Sequence, residues 1–305
     1  MRKFLCLLLC LLLCGCAAPI QTGAYTFTDS TGCAVRVAPN PKTVAVLLSS
    51  LADVWVTAGG TVDVTVGESV ERGFADKTAV LVDDGAGKTV NLELLVASKP
   101  DLVIYSPDIA GQAECAKALT AAGIPAAGFR VDTFDEYLRM LKICTDLTGQ
   151  PQRYQTYGSA VKARIDAILS DVQTQPSQPD ILFVRAGSSA RYTKAKTADN
   201  NFVCIMLQQL RTCNIAEKAP ILLDGLSMEE ILISDPDAIF FTTMGSEESA
   251  VSYMDSLLSD PVWSSLTAVK ESRVHHLPKE LFQYKPNSRW DEAYAYLVTL
   301  LYGDI

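Results

Sequence analysis

Two short stretches of the chain have residue types that could act on phosphate or acyl groups, but neither completes its motif. Residues 85–89, GAGKT, resemble the end of a phosphate-binding loop, yet that loop needs a glycine where Val82 stands. Residues 187–189, GSS, lack the second glycine of the turn that exposes a nucleophilic serine. The spacing therefore predicts neither a nucleotide site nor a serine hydrolase, and we expect no catalytic residue.

The chain has only two histidines, His275 and His276. They are adjacent in a predicted strand, where consecutive side chains point to opposite faces of the sheet. A protein site for zinc or manganese normally combines several imidazoles with carboxylates or thiolates. We therefore expect no resident metal or cofactor, and expect any ligand to be recognised by shape, hydrogen bonds and charge.

Composition narrows the class of partner. The net charge is −9, which argues against nucleic acid because phosphate binding needs a basic surface. The apolar fraction is 49% over 305 residues, enough for two units of ordinary domain size.

The N-terminus has the pattern of a targeting segment. Residues 1–16, MRKFLCLLLCLLLCGC, place two basic residues before an apolar run that is too short to span a bilayer. The tripeptide before Cys16 resembles the lipobox of bacterial lipoproteins, which implies a signal peptide over residues 1–15, a lipid on Cys16 and a tether over residues 16–24. An ordinary secretory peptide cut near Ala18 is the alternative. Either way we expect an extracytoplasmic protein, and the lipobox implies one anchored to the cell membrane.

Five cysteines follow Cys16, and an odd number cannot all pair within one chain. Cys115, Cys144 and Cys204 lie in apolar patterns of helical period, where a free thiol packs as a small hydrophobic group. We expect structural thiols, and a bridge between Cys204 and Cys213 is the alternative.

The rest of the chain alternates predicted strands and helices. Apolar strands separated by helices indicate parallel sheets covered on both faces, an α/β fold. Residues 25–150 form one such series and residues 176–305 another. Residues 151–175 between them have a helical period and start with Pro151, which favours a helix N-terminus. We predict two lobes, each with a mostly parallel central sheet, joined by a single long helix.

Two segments repeat one plan, 136 positions apart. Residues 91–105, NLELLVASKPDLVIY, and residues 227–241, SMEEILISDPDAIFF, each begin a short helix with an acidic residue and continue through Pro-Asp into an apolar strand. Glu93 and Glu229 occupy matching first-turn positions. The helix dipole stabilises a negative charge there by about 0.3–1 kcal/mol, which explains each glutamate singly.

Four blocks in this order resemble the extracytoplasmic solute-binding lipoproteins of ABC importers for iron–siderophore, haem and cobalamin, the class III periplasmic binding proteins. The similarity covers nearly all of the chain after the targeting segment, through PKTVAVLLSSLADVWVTAGG, VNLELLVASKPDLVIYS, LSMEEILISDPDAIFFTT and DPVWSSLTAVKESRVHHLP. It implies two α/β lobes with a ligand cleft between them and no enzymatic activity.

The resemblance also implies partners. One glutamate on each lobe would dock on arginines of the ABC permease dimer, which works with its ATPase subunits, and Glu93 and Glu229 match those positions, with Glu230 as the substitute for Glu229. We expect a monomer that carries an iron–siderophore or a cobalamin-type corrinoid, with haem as the next ligand. A two-lobed extracytoplasmic enzyme or a sensor module is the competing class.

Open α/β sheets bind ligands at the carboxyl ends of their strands. The candidates for ligand contact at those ends are Ser50, Lys88, Ser106 and Arg130 in the first lobe, and Arg185, Tyr192, Tyr284 and Arg289 in the second. Aromatic faces and cationic groups suit a large, partly apolar ligand with carboxylate or catecholate oxygens. Tyr105 and Tyr192 are candidates for an axial haem ligand. Phe282 and Trp290 lie beside Tyr284 and Arg289 in the sequence, and we expect each to be either a ligand contact or a core residue.

Overall fold

The computed structural model describes residues 23–83 and 89–303, so Cys16 and Lys88 lie outside the described residues. In those two ranges, no helix combines the length and the apolar character that crossing a membrane requires.

The N-terminal lobe begins with a hairpin and continues as a parallel sheet. The hairpin pairs β1 (Tyr25–Thr28) with β2 (Ala34–Val37). The sheet strands are β3 (Val44–Val46), β4 (Val64–Thr65), β5 (Val80–Leu81), β6 (Leu102–Tyr105) and β7 (Ala126–Gly128). Their order is β5-β4-β3-β6-β7, all parallel. The sheet therefore has the connectivity of consecutive strand–helix units.

Helices cover both faces of this sheet, as the buried strands require. They are α1 (Ser49–Thr57), α2 (Gly67–Glu71), α3 (Leu92–Ala97), α4 (Ala110–Ala121) and α5 (Phe134–Leu147). Asn91 caps α3 by accepting a hydrogen bond from the Leu94 amide, and Thr133 caps α5 in a reciprocal capping box with Glu136.

The segment between the lobes is helical almost throughout. It comprises α6 (Pro151–Tyr154), one π-helical turn (Gln155–Ser159) and α7 (Ala160–Gln173). Pro151 is in the first turn, where the missing amide proton costs nothing.

The C-terminal lobe has a mixed sheet. Its strands are β8 (Asp180–Ala186), β9 (Lys194–Ala195), β10 (Cys213–Asn214), β11 (Ala238–Thr243) and β12 (Val274–His276). The order is β10-β8-β11-β12, parallel, with β9 antiparallel to β8. The helices are α8 (Phe202–Gln209), α9 (Met228–Ser234), α10 (Glu247–Leu258), α11 (Thr267–Lys270), α12 (Lys279–Phe282) and α13 (Trp290–Tyr302). Short 3₁₀ turns occupy Ala190–Tyr192, Ile215–Glu217, Pro220–Leu223, Trp263–Ser265 and Asn287–Arg289.

The largest hydrophobic core runs through both lobes. Trp290 is 1% exposed, and its ring centroid lies 6.3 Å from that of Phe134 and 5.8 Å from that of Phe202. Helix α13 also packs along α7. Trp290 and the buried Phe282 are therefore core residues rather than ligand contacts.

The five cysteines found in the described residues are free, and no bridge joins Cys204 to Cys213. Cys115, Cys144 and Cys204 are buried, as the sequence predicts for structural thiols, whereas Cys33 is exposed. Burial raises the pKa of the Cys144 and Cys204 thiols and keeps them protonated.

Helices α1 and α9 begin without a side-chain cap. Ser49 and Ser50 do not cap α1, because Leu48 holds the cap position with extended backbone and no side-chain bond. Ser227 holds the cap position of α9 but makes no capping hydrogen bond with its side chain.

Candidate functional site

Arg72, at the end of α2, joins the two lobes. Its Nη1 donates to Ser49 Oγ at 2.7 Å, and its guanidinium carbon lies 3.8 Å from the centroid of the Tyr284 ring. Ser49 in turn donates to the Glu68 carboxylate. Burial lowers the pKa of Arg72, while the charges of Asp53 and Glu68 oppose that shift, so the guanidinium is a charged group enclosed by acidic partners.

The predicted residues Ser50 and Tyr284 meet at this arginine. In the N-terminal lobe, Arg72 Nη1 lies 3.4 Å from Ser50 Oγ. In the C-terminal lobe, Lys279 Nζ lies 4.9 Å from the centroid of the Tyr284 ring. Its hydrogen bond to Tyr284 raises the pKa of Lys279. Tyr284 is thus held by two cations in a contact between the lobes.

The loop that follows Tyr284 makes further contacts with the N-terminal lobe. Lys285 Nζ lies 2.5 Å from Asp132 Oδ1 and 4.2 Å from the Phe202 centroid. Asn287 is fully buried and donates from Nδ2 to Ser50 O at 2.8 Å and to Asp53 Oδ2 at 2.9 Å. These bonds fix residues 285–287 against the start of α1.

A cationic face lies at the end of β8. Arg185 is exposed and pairs in register with Lys194 of the antiparallel β9, and Lys196 follows two residues later on the same face. Burial lowers the pKa of Lys196, and the charges of Arg185 and Lys194 lower it further. No ion pair joins these three residues to any acid within 23–83 or 89–303, so we call them the β8–β9 cationic face.

Tyr192 lies two residues before the start of β9 and is 50% exposed. The Arg191 guanidinium is 5.7 Å from its ring centroid. The backbone of Gly187 approaches Tyr192 so closely that a Cβ at Gly187 would lie 2.4 Å from the Tyr192 Cβ. Gly187 is therefore needed to place Tyr192 beside the β8–β9 cationic face.

The remaining predicted contacts lie apart from this face. Arg289 pairs with Glu292 at 2.8 Å and lines a groove against the connecting helix together with Arg164. Arg130 pairs with Asp108 at 2.8 Å and bonds to the hairpin turn through Ser30 O. Both side chains thus have local partners.

Ser106 and Tyr105 are buried at the end of β6. The Ser106 amide donates to Gln112 Oε1 at 2.9 Å, and Gln112 Nε2 donates to Leu47 O at 2.7 Å, which ties two strand ends to α4. Tyr105 lies against Gly128 and the hairpin within the N-terminal lobe.

Several residues of the interlobe region and the cationic face are missing from the sequence-based set, among them Arg72, Asn287, Lys194 and Lys196. Arg72 follows a short helix that the hydrophobic pattern does not reveal. The spacing Lys-Ala-Lys at 194–196 gives a signal, because alternate strand positions share a face.

No cluster of three or more histidine, cysteine or acidic side chains suited to a metal ion occurs in the described part of the chain. His275 packs on Phe240 and His276 stacks on Phe241, on opposite faces of β12, as the sequence predicts.

Glu93 and Glu229 are both exposed on their helices. Each has exposed apolar neighbours: Leu94 and Val96 on α3 are 38% and 39% exposed, and Leu232 and Ile233 on α9 are 41% and 73% exposed. The two helices therefore present an acidic residue beside apolar surface.

Solved structures share this fold at low sequence identity. Staphylococcus aureus SirA, complexed with staphyloferrin B, has a TM-score of 0.68 and 17% identity, covering 91% of this chain and 98% of SirA. The periplasmic haem-binding protein RhuT from Roseiflexus sp. RS-1 has a TM-score of 0.68 and 20% identity over 85% of this chain and 97% of its own. The periplasmic vitamin B12 binding protein BtuF of Vibrio cholerae has a TM-score of 0.68 and 17% identity over 86% and 97%.

No curated protein matches the sequence significantly. The family profile described as periplasmic binding protein matches residues 44–281, which include both sheets and the helix between them. The α/β fold with two parallel-type sheets agrees with that match. The chain therefore belongs to the periplasmic binding protein family.

Proposed function

We propose that this protein captures an anionic ferric siderophore in the cleft between its lobes and delivers it to an ABC permease with its ATPase subunits. The observation that carries the proposal is the β8–β9 cationic face, which lies where α/β sheets bind ligands, at the carboxyl end of a central strand. The protein acts as a monomeric carrier without enzymatic activity.

Charge supports an anionic ligand. Arg185, Lys194 and Lys196 repel one another, and the lowered pKa of Lys196 shows the cost of keeping its ammonium charged there. Carboxylate or catecholate oxygens would relieve that repulsion and form charge-assisted hydrogen bonds. A corrinoid or haem is the alternative ligand, and Tyr192 supplies an exposed aromatic face beside the cations in either case.

Ligand binding can be measured by quenching of intrinsic tryptophan and tyrosine fluorescence. The probes are ferric citrate and ferric enterobactin as anionic chelates, ferrioxamine B as a cationic chelate, and cyanocobalamin and haemin. We expect an anionic chelate to bind and ferrioxamine B not to bind. Exclusive binding of cyanocobalamin, haemin or ferrioxamine B would contradict the proposed ligand class.

A charge-removing variant tests the residues themselves. Lys194→Gln with Lys196→Gln should weaken the anionic chelate by more than about tenfold, since each charge-assisted bond contributes roughly 1.5–3 kcal/mol. Lys218→Gln is the control, because Lys218 is exposed on the same lobe and makes no ion pair with the described residues. Equal affinity in the double variant and the control would contradict the assignment.

Docking on the permease is proposed for Glu93 and Glu229 with their apolar neighbours. A carboxylate surrounded by exposed leucine, valine and isoleucine side chains suits a contact that pairs charge at a point and excludes water around it. Glu230 is half-buried, so it is the weaker candidate on α9.

Charge reversal separates docking from ligand binding. Glu93→Arg with Glu229→Arg should abolish uptake of the bound chelate in cells and leave the affinity of the purified protein unchanged. Glu71→Arg with Glu248→Arg is the matched control, because both are exposed glutamates, one on each lobe. Uptake that survives in the first pair would refute the docking role.

Anchoring is proposed for Cys16, with residues 1–15 removed and residues 16–24 as the tether. Cys16→Ser should release the protein from the membrane fraction of expressing cells. Retention of the variant in the membrane fraction would exclude the lipid anchor.

A further inference from the structure

A groove within the N-terminal lobe is separate from the cleft. It has a volume of about 690 Å³ and lies between β2, α4 and the edge strand β7. All of its lining residues fall between positions 29 and 126, so the C-terminal lobe takes no part in it. Pockets that bind small molecules usually measure about 300–1,000 Å³, so this groove has room for one.

The floor and one wall of the groove are apolar. Ala113, Ala116, Ile124 and Pro107 line it, and Ala116 also belongs to a buried cluster of the sheet. Because these side chains are short, they leave a space that apolar atoms of a ligand could fill. The lining therefore suits the apolar body of an organic molecule.

Two cations stand at the groove without acidic partners. Arg36, on the exposed face of β2, and Lys117, exposed on α4, make no ion pair with any residue in 23–83 or 89–303. Asp29 is the acidic residue that lines the groove. Its carboxylate accepts hydrogen bonds from the Thr31 amide and hydroxyl and from the Cys33 and Gly128 amides, so it is already satisfied.

Tyr105 supplies an unused donor. The residue is 8% exposed and lines the groove, and its hydroxyl has no hydrogen-bond partner among the described residues. The hydroxyl is not fully enclosed by protein atoms. A buried phenol normally bonds a partner, and a ligand oxygen in the groove would provide one.

Backbone amides add further donors. Asp29 N donates to Cys33 O, so these two residues form a hydrogen-bonded pair of the hairpin. Hydrogen-bonded and non-hydrogen-bonded pairs alternate along an antiparallel ladder, so the amides of Ala34 and Arg36 point away from β1 and toward the groove. On the other side, β6 bonds to the residues flanking Ala126, so the Ala126 amide also faces outward. The strand registers leave these three amides without a partner on the neighbouring strand.

We infer that this groove binds a small organic carboxylate or sulfonate, with its anionic group at Arg36, Lys117 and the Tyr105 hydroxyl and its apolar body against α4. The site is independent of the cleft, and it does not depend on the identity of the transported solute.

The test uses 8-anilinonaphthalene-1-sulfonate, whose fluorescence increases in an apolar site, and the uncharged N-phenyl-1-naphthylamine as its matched probe. Arg36→Gln with Lys117→Gln should weaken binding of the sulfonate by about tenfold, because the variant loses two exposed ion pairs with the ligand. Tyr105→Phe should weaken it several-fold. The uncharged probe should bind these two variants and the wild type equally.

Three controls make the result decisive. Lys77→Gln removes an exposed lysine of the same lobe outside the groove and should leave sulfonate binding unchanged. Thr120→Trp, at an exposed lining position, should block both probes without burying new charge in the core. Circular dichroism establishes that each variant is folded.

Two outcomes would overturn the inference. One is equal sulfonate binding by the wild type, the Arg36→Gln/Lys117→Gln variant and Thr120→Trp. The other is loss of sulfonate binding in Lys194→Gln/Lys196→Gln with full binding in Arg36→Gln/Lys117→Gln, since the probe would then occupy the C-terminal lobe.

Discussion

Asn287 should be one of the residues on which the contact between the lobes depends most. Its Nδ2 donates to Ser50 O and to the Asp53 carboxylate, its Oδ1 is buried without a partner, and its φ is 51°. Asparagine tolerates this left-handed backbone better than most residues. Both the side chain and the backbone therefore contribute, and two substitutions can separate them.

The magnitude follows from those contacts. The two hydrogen bonds stabilise the fold by about 2–4 kcal/mol, and removing the unpartnered Oδ1 returns about 1–3 kcal/mol. We expect Asn287→Gly to lower the free energy of unfolding by about 1 kcal/mol, the difference between these two terms, because glycine adopts the positive φ freely and adds no strain. Asn287→Ala should lower it by roughly 1–2 kcal/mol more, because its Cβ is strained there.

Equilibrium urea unfolding, followed by tryptophan fluorescence and circular dichroism, measures both differences. Asn200→Ala is the control, because the Asn200 side chain forms its hydrogen bonds within its own turn, with Thr197. If Asn287→Gly is as stable as the wild type, the hydrogen bonds between the lobes contribute nothing net. If the alanine and glycine variants are equally stable, the argument from backbone strain is refuted.

Two further predictions concern stability. Thr133→Ala removes the capping box of α5 and should lower the free energy of unfolding by about 1 kcal/mol in urea, whereas Thr156→Ala, at an exposed position, should change it little. Burial raises the pKa of Asp53 above its ordinary value of 3.8. As the pH rises above 3.8, ionisation of Asp53 therefore lowers the free energy of unfolding of the wild type. Relative to the wild type, Asp53→Asn should therefore gain stability between pH 4 and pH 7, and a difference that does not change with pH would contradict the assigned pKa shift.

The long periodic elements were predictable from the sequence. Helix α5 has a clear apolar face and a Thr133 cap, and β11 begins with four consecutive apolar residues and is buried throughout, so local pattern and burial agree at both. The 3.6-residue period also predicts helix between Pro151 and Gln173, but not the π-helical turn at Gln155–Ser159, which has no distinct sequence signal.

The contacts between the lobes were less predictable. Arg72 ends a five-residue helix too short to show a period, and its partner Tyr284 is 212 positions away. Arg289 lies five residues after Tyr284. A 3₁₀ turn nevertheless directs its side chain toward Glu292 and the connecting helix. Spacing along the chain does not determine which of these two side chains faces the other lobe.

The position of Trp290 in the shared core has a consequence for protein engineering. The boundary between the lobes in sequence differs from the boundary in packing, because α13 is encoded last yet packs on α7 and reaches Phe134. A fragment that ends after α7 would expose this apolar surface to water, so neither half should fold as an autonomous unit. A chimaera that exchanges ligand specificity between relatives should therefore transfer α13 together with the connecting helix and the N-terminal lobe.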